Sequence, residues 1–273
     1  MAGSESLDEV REYYGKILPF YELESIGRRH LEFWRSLARR WRPGRILDVG
    51  AGLGRITNAI SSDVSAIGID VSLEMLSRAR QRTEPGSRAR FVVADMRRVA
   101  FAGGIDLIIA ASDPYSHLTS TADRRQALGA VASQLSPQGH FVLEGLYRPR
   151  KVFEPPERHI RHAAGVLSIS ESWRPVGARQ LWNARYRYRD HRGEGGDAIV
   201  EASFVARAWD PAEICRFFSS CGLSVEDLWG DFDRRPFSHQ ANRLVVVARR
   251  SAGKRTGDGL PGVRIAWGHV LML

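Results

Sequence analysis

Arg45-Ile-Leu-Asp-Val-Gly-Ala-Gly-Leu-Gly54 is the stretch that decides the fold. Ile46, Leu47 and Val49 form a short apolar run, which reads as a buried parallel strand. Gly50, Gly52 and Gly54 follow at once, alternating with Ala51 and Leu53. Glycine lets the chain turn sharply and lets the backbone approach a ligand with no side chain between them. A helix that opens on such a turn presents unpaired N–H groups. The segment therefore predicts a strand, a ligand-binding turn and a helix over about 53–61.

Working outward toward the C-terminus, strand and helix alternate. Ser65-Ala-Ile-Gly-Ile69 is a second strand and ends at Asp70. Ser72 can cap a helix reaching about Arg82. Phe91-Val-Val-Ala94 and Ile105-Asp-Leu-Ile-Ile-Ala110 give strands three and four. A helix from Asp123 to Leu135 is stopped by Pro137, and Phe141-Val-Leu143 is strand five. This rhythm, from 45 to 145, implies a parallel sheet with helices on both faces.

Before it, residues 8–42 place Ile17, Leu18, Tyr21, Ile26, Leu31, Trp34, Leu37 and Trp41 at helical spacing. Pro19 predicts a short helix, a break and a longer helix. After it, residues 152–208 alternate as antiparallel strands do, in 166–173, 181–188 and 199–206, with Gly193-Glu-Gly-Gly196 as a turn. Pro211 opens a helix to about Cys221, with Gly222 as its stop. Leu223–Trp229 and Arg243–Ala248 read as a closing pair of strands. The expected organisation is a helical lid (1–42), a cofactor-binding core (43–151), a β-rich cap insertion (152–208), the rest of the core (209–249) and a disordered tail (250–273).

The acids reinforce the ligand reading. Asp48 lies in the strand just before the glycine turn, where a nicotinamide site carries a neutral residue. Asp70 ends the second strand, within reach of ribose hydroxyls. Asp95 and Met96 end the third, within reach of an adenine ring.

These motifs resemble the class I S-adenosylmethionine-dependent methyltransferases. Asp48-Val-Gly-Ala-Gly-Leu-Gly54 is similar to that family's first motif, Gly68-Ile-Asp-Val-Ser-Leu-Glu-Met75-Leu to its second, Val93-Ala-Asp-Met96 to its third, and Leu135-Ser-Pro-Gln-Gly-His-Phe-Val-Leu143 to the turn before strand five. The resemblance covers about 100 residues well. It implies an α/β fold, a Rossmann-like seven-stranded and mostly parallel sheet, with an antiparallel β-rich cap insertion. It implies S-adenosyl-L-methionine as cofactor. Asp70 would take the ribose hydroxyls, and Val71 and Met96 would pack on the adenine. Asp95 would accept from the adenine amino group. Gly50 and Ala51 would lie along the methionine arm, with Asp48 orienting its amino group, and Gly52 and Gly54 would belong to the same cofactor-holding loop. Met75 and Ala111 complete the expected cofactor set. The N-terminal helices would fold over the cofactor and bring Tyr14 and Tyr21, with Tyr13 close behind.

For the acceptor, the loop Ala111-Ser-Asp-Pro-Tyr-Ser-His117 follows strand four at the carboxyl edge of the sheet, where open α/β sheets bind ligands. Asp113, Tyr115 and His117 are the candidates for acceptor contact or proton removal. Glu144 and Tyr147 end strand five at the same edge. In the cap, Trp173, Trp182, Tyr186, Tyr188, Glu171 and His162 are available, and strand alternation turns about half of them inward. Among these, Trp173 and Tyr186 are the substrate-contact candidates. The expected reaction is methyl transfer to a nitrogen or oxygen of a small molecule.

Asp113-Pro114-Tyr115 is also similar to an Asp/Asn-Pro-Pro-Tyr/Phe motif of nucleic-acid amino methyltransferases, but the second proline is absent. The net charge of +9 keeps an RNA or DNA acceptor as an alternative. The positive charge is nearly all arginine, scattered rather than gathered in a stripe, so nucleic acid is not the expected partner. A non-catalytic S-adenosylmethionine-binding protein is the other alternative. Cys215 and Cys221 fit neither a disulfide nor a zinc pattern, and no metal is expected. No run approaches a membrane span and the N-terminus is polar, so the expected setting is cytoplasmic, as monomer or homodimer.

Overall fold

The computed structural model describes residues 7–26, 30–62, 64–147, 152–177, 180–192, 196–241, 243–251 and 264–265. Its central sheet is built from β1 (Arg45–Val49), β2 (Ser65–Asp70), β3 (Ala89–Val93), β5 (Ile105–Ala110), β6 (Leu135–Gly145), β11 (Leu223–Trp229) and β12 (Leu244–Arg250). A short strand outside this sheet, β4 (Ala100–Phe101), lies between β3 and β5 in the chain. The seven strands stand in the order β11-β12-β6-β5-β1-β2-β3. β1, β2, β3, β5 and β6 pair in parallel, and β12 pairs antiparallel with both neighbours. Only β12 therefore runs against the rest, as a mostly parallel seven-stranded sheet requires.

Helices cover both faces because each strand sends alternate residues to opposite sides. Leu47, Val49, Ile108 and Ala110 meet α5 (Thr121–Gln134) and α6 (Ile214–Ser220) on one side. Ile46, Leu107 and Ile109 meet α2 (Leu31–Trp41) and α3 (Arg55–Ile60) on the other. α4 (Leu73–Gln81) starts at Ser72, whose hydroxyl accepts from the Met75 amide at 3.2 Å.

The cap is a second, antiparallel sheet. It comprises β7 (Arg158–His162), β8 (Gly165–Pro175), β9 (Leu181–His191) and β10 (Asp197–Arg207), in the order β10-β9-β8-β7. β7 was not legible in the sequence, because its outward His159 and Arg161 leave no apolar alternation.

The N-terminal expectation is corrected. α1 spans Leu7–Ile26 with Pro19 inside it, so the helix continues past the proline. Two packing faces hold the helix through the proline. Tyr13, Ile17 and Phe20 pack on Leu167, Ile169 and Tyr188 of the cap, and Leu18 packs on Leu53 and Met75 of the core. Together these contacts offset the hydrogen bond that Pro19 cannot donate.

Most of the tail expected to be disordered, and the core of the 193–196 turn, lie outside the described residues. Arg264–Ile265 pairs in parallel with β4. No described helix is long and apolar enough to cross a membrane.

Candidate active site

The glycine turn is shaped by its neighbours. Gly50 has φ +70, and a Cβ there would stand 2.4 Å from Pro114 Cβ. Only glycine lets the loop after β5 close over the loop after β1. Gly52, at φ +51, donates its amide to Asp70 Oδ2 at 2.9 Å. Asp70 Oδ1 accepts from the Ser72 amide at 2.9 Å. The carboxylate is thus fixed at the tip of β2 with acceptor capacity remaining on each oxygen. Burial raises its pKa, opposed by these amide bonds. Asp48 is 2% exposed and accepts from Thr57 Oγ1 at 2.7 Å and the Thr57 amide at 3.2 Å. Burial pushes it up to about 6 despite these bonds.

A cavity opens between these strand tips and α1. Gly50, Gly52, Asp70, Val71, Met75, Asp95, Met96 and Ala111 line it from the core, and Tyr14 and Tyr21 from α1. Nearly all the expected cofactor set is therefore brought together. Asp48 and Ala51 line a smaller recess that shares Tyr21, Gly50, Gly52 and Ala111 with that cavity. Gly54 lines neither: a Cβ there would strike Ala79 and Phe91, so it serves the packing of the helix behind the turn. This corrects its expected place among the cofactor-binding residues. Asp95 is already engaged. Its oxygens accept from Arg97 Nε and Nη2 at 2.8–3.0 Å, and Arg97 Nη1 bridges on to Asp123 at 2.7 Å. That clamp orients Asp95 but occupies much of its acceptor capacity.

Leu7 and Val10, which sequence reasoning missed, also line the cavity. Their spacing with Tyr14 and Tyr21 along one helix stripe was the available signal.

Beyond α1 lies a second chamber of about 410 Å³ between the core edge and the inner face of the cap. Asp113, His117, Glu144 and Tyr147 line it from the core, and Trp173, Tyr186 and Tyr188 from the cap. Trp182 is packed among Ala184, Ala206 and Ala208 away from it, and His162 is paired with Asp190 at 2.8 Å. Glu171 contacts Arg158 at 3.6 Å. Three of the six cap candidates line the chamber, but the strand register puts all six on the same face of the cap sheet. Position along the strands, not the alternation expected from the sequence, leaves Trp182, His162 and Glu171 outside it.

Tyr14, Tyr21, Ser112 and His117 belong to the walls of both cavities. His117 is 9% exposed and its Nε2 stands 3.1 Å from the Tyr14 hydroxyl. Tyr115 is a correction. It is fully buried against Phe141 and Trp209, its hydroxyl meets no partner, and it lines neither cavity. Its turn, Pro114–His117, is a single 3-10 turn that sends the phenol into the core and the imidazole outward.

Glu24, Arg158 and Arg243 also line the chamber and went unread in the sequence. Arg158 pairs with Glu24 at 2.9 Å and Arg243 with Glu144 at 2.6 Å. Each pair joins residues over 90 positions apart, which no local pattern marks.

Residues 46–139 match the family model described as a methyltransferase domain. The chain thus carries a methyltransferase domain over these residues. YqeM of Bacillus subtilis (strain 168), a provisionally named methyltransferase, is 26% identical over 222 residues, covering 76% of this chain and 85% of that protein. The fold is similar to that of SAM-bound CalS10, an amino pentose methyltransferase from Micromonospora echinaspora. The TM-score is 0.70 and the identity 20%, over 86% of this chain and 97% of that one. It is also similar to the sugar N-methyltransferase KedS8 from Streptoalloteichus sp ATCC 53650, with TM-score 0.66 and 18% identity, over 85% and 93% of the two chains. This methyltransferase domain thus accounts for the glycine turn and the acids at successive strand tips.

Proposed function

We propose that this methyltransferase acts on an amine nitrogen of a small-molecule acceptor. The observation that carries the reading is the shared wall: Tyr14, Tyr21, Ser112 and His117 separate the cofactor cavity from the chamber beneath the cap. A chamber of about 410 Å³ suits a small molecule. Carboxylates (Glu24, Asp113, Glu144) and aromatic faces (Tyr13, Tyr186, Trp173) line it, and both attract an ammonium group. The descriptions of CalS10 as an amino pentose methyltransferase and of KedS8 as a sugar N-methyltransferase point the same way.

S-adenosylmethionine supplies an activated methyl group on a sulfonium, a good leaving group. Asp70 would hold its ribose, Val71 and Met96 its adenine, and Asp48 its amino group. The chain's own task is alignment and exclusion of water. His117, steadied by the Tyr14 hydroxyl, positions the acceptor nitrogen at the shared wall, and α1 with the cap closes the chamber. The Asp-Pro-Tyr sequence offers no platform for a nucleic-acid base, since Tyr115 is buried.

A panel of small amines and matched alcohols, incubated with methyl-labelled S-adenosylmethionine, tests the reading. Label is expected in amines bearing a hydrophilic ring. Transfer confined to alcohols or to RNA would overturn it.

A further inference from the structure

Ser112 and Asp113 both adopt left-handed backbone conformations, with φ +59 and +56. Such geometry persists in non-glycine residues only where surrounding contacts over-determine it. Here one contact is the Ser112 amide donating to Glu144 Oε2 at 2.8 Å. The others converge from Arg124 on α5. This guanidinium is 2% exposed, and the oxygens it donates to are main-chain carbonyls. It bonds Leu118 O at 2.9 Å, Tyr115 O and Ala208 O at 3.3 Å, and Arg207 O. It also lies over the Trp209 ring at 4.1 Å. Two of those carbonyls belong to the acceptor-side turn and two to the chain leaving β10. One buried cation therefore ties the catalytic turn to the cap.

Buried charge is costly unless balanced, and Asp113 is the carboxylate that interacts with Arg124. Neither Asp113 oxygen completes a hydrogen bond, although the Leu146 amide and the Ser116 hydroxyl stand near. Asp113 also forms part of the acceptor chamber wall.

We propose that Arg124 is a positioning residue: it locks the strained turn to the cap and supplies the counter-charge that lets Asp113 take a proton from the acceptor ammonium. In that step an N–H bond of the ammonium breaks and an O–H bond forms on Asp113, leaving a neutral amine and a neutral carboxyl. Burial raises the Asp113 pKa and Arg124 opposes the rise, which brings the group toward the range where a base works near neutrality. The other groups facing Asp113 are Glu144 on β6, which raises it further, and His117 on its own turn; Arg243 across the chamber is paired to Glu144.

The inference rests on the amine reading, so its test needs no acceptor. In the complex with S-adenosylhomocysteine, the Asp113 carboxyl is titrated by 13C NMR in wild type, Arg124→Lys and Arg124→Met. The midpoint is expected to rise by at least one pH unit in Arg124→Met and by less in Arg124→Lys, with S-adenosylhomocysteine affinity within threefold of wild type. Should Arg124→Met not fold, a rise of at least half a unit in Arg124→Lys is the expected result. An unmoved midpoint in a folded variant overturns the role of Arg124, as does a tenfold loss of S-adenosylhomocysteine affinity in Arg124→Lys. Wild type that fails to bind S-adenosylhomocysteine would instead undo the methyltransferase reading.

Discussion

Asp48 shows at single-residue scale what burying a carboxylate costs in stability. Its folded-state pKa, about 6, lies above the ordinary aspartate value because the carboxyl is buried. A raised folded value means that the ionised form is the unfavourable one. Stability therefore falls as pH rises from about 4 to about 6 and stays lower above that. Asp48→Asn removes the charge while its amide oxygen can still accept from Thr57. At pH 7.5 it is expected to stabilise the free protein by on the order of 2 kcal/mol and to weaken S-adenosylhomocysteine binding. Urea denaturation and calorimetry check both halves; a variant no more stable than wild type contradicts the account. His117→Ala is expected to lower turnover at least tenfold while leaving cofactor affinity within about threefold. Wild-type rates in that variant would make His117 structural. The acids at strand tips were legible because strand ends and glycine turns are local features. Tyr115 was misread because a turn residue's inward or outward course depends on distant partners, here Phe141 and Trp209. Glu24, Arg158 and Arg124 escaped for the same reason.

At the scale of elements, α1 is the part that serves two partners. One stripe (Leu7, Val10, Tyr14, Tyr21) faces the cofactor cavity, and another (Tyr13, Ile17, Phe20) faces the cap. With apolar residues on two sides, its pattern does not mark a single buried face. Pro19 then looked like a break, although tertiary contacts carry the helix past it. Pro19→Ala restores an amide donor and relieves the clash with the preceding turn. It is expected to stabilise the protein by about 1–3 kcal/mol, read as a raised melting temperature. An unchanged or lower melting temperature would mean that the two-sided packing requires the proline ring itself. The core strands were legible from their apolar runs. Three of the four cap strands were legible from alternation. β7 carries His159, Arg161 and His162 and shows neither pattern.

At the scale of the whole molecule, core and cap enclose the chamber proposed for the acceptor, so on that proposal cap integrity and function belong together. Asp190 anchors the far end of the cap. Its side chain is 1% exposed and is bonded to His162 Nε2 at 2.8 Å and Arg192 Nε at 2.6 Å. Burial alone would raise its pKa; the bonds from Arg192 and His162 outweigh that and hold it below the ordinary value. A depressed folded value stabilises at pH above about 4 and is lost as pH falls through the folded value. Melting temperatures from pH 6 to pH 3 are expected to fall less steeply in Asp190→Asn than in wild type. Parallel curves would remove Asp190 as the acid-sensitive anchor. The central claim, however, is that the cavity under α1 grips an adenosyl amino acid through Asp70. Calorimetric titration with S-adenosylhomocysteine tests it most directly. The account predicts one-to-one binding by wild type and a loss of more than about 1 kcal/mol in Asp70→Ala. Absence of heat in wild type, or equal affinity in Asp70→Ala, would contradict it.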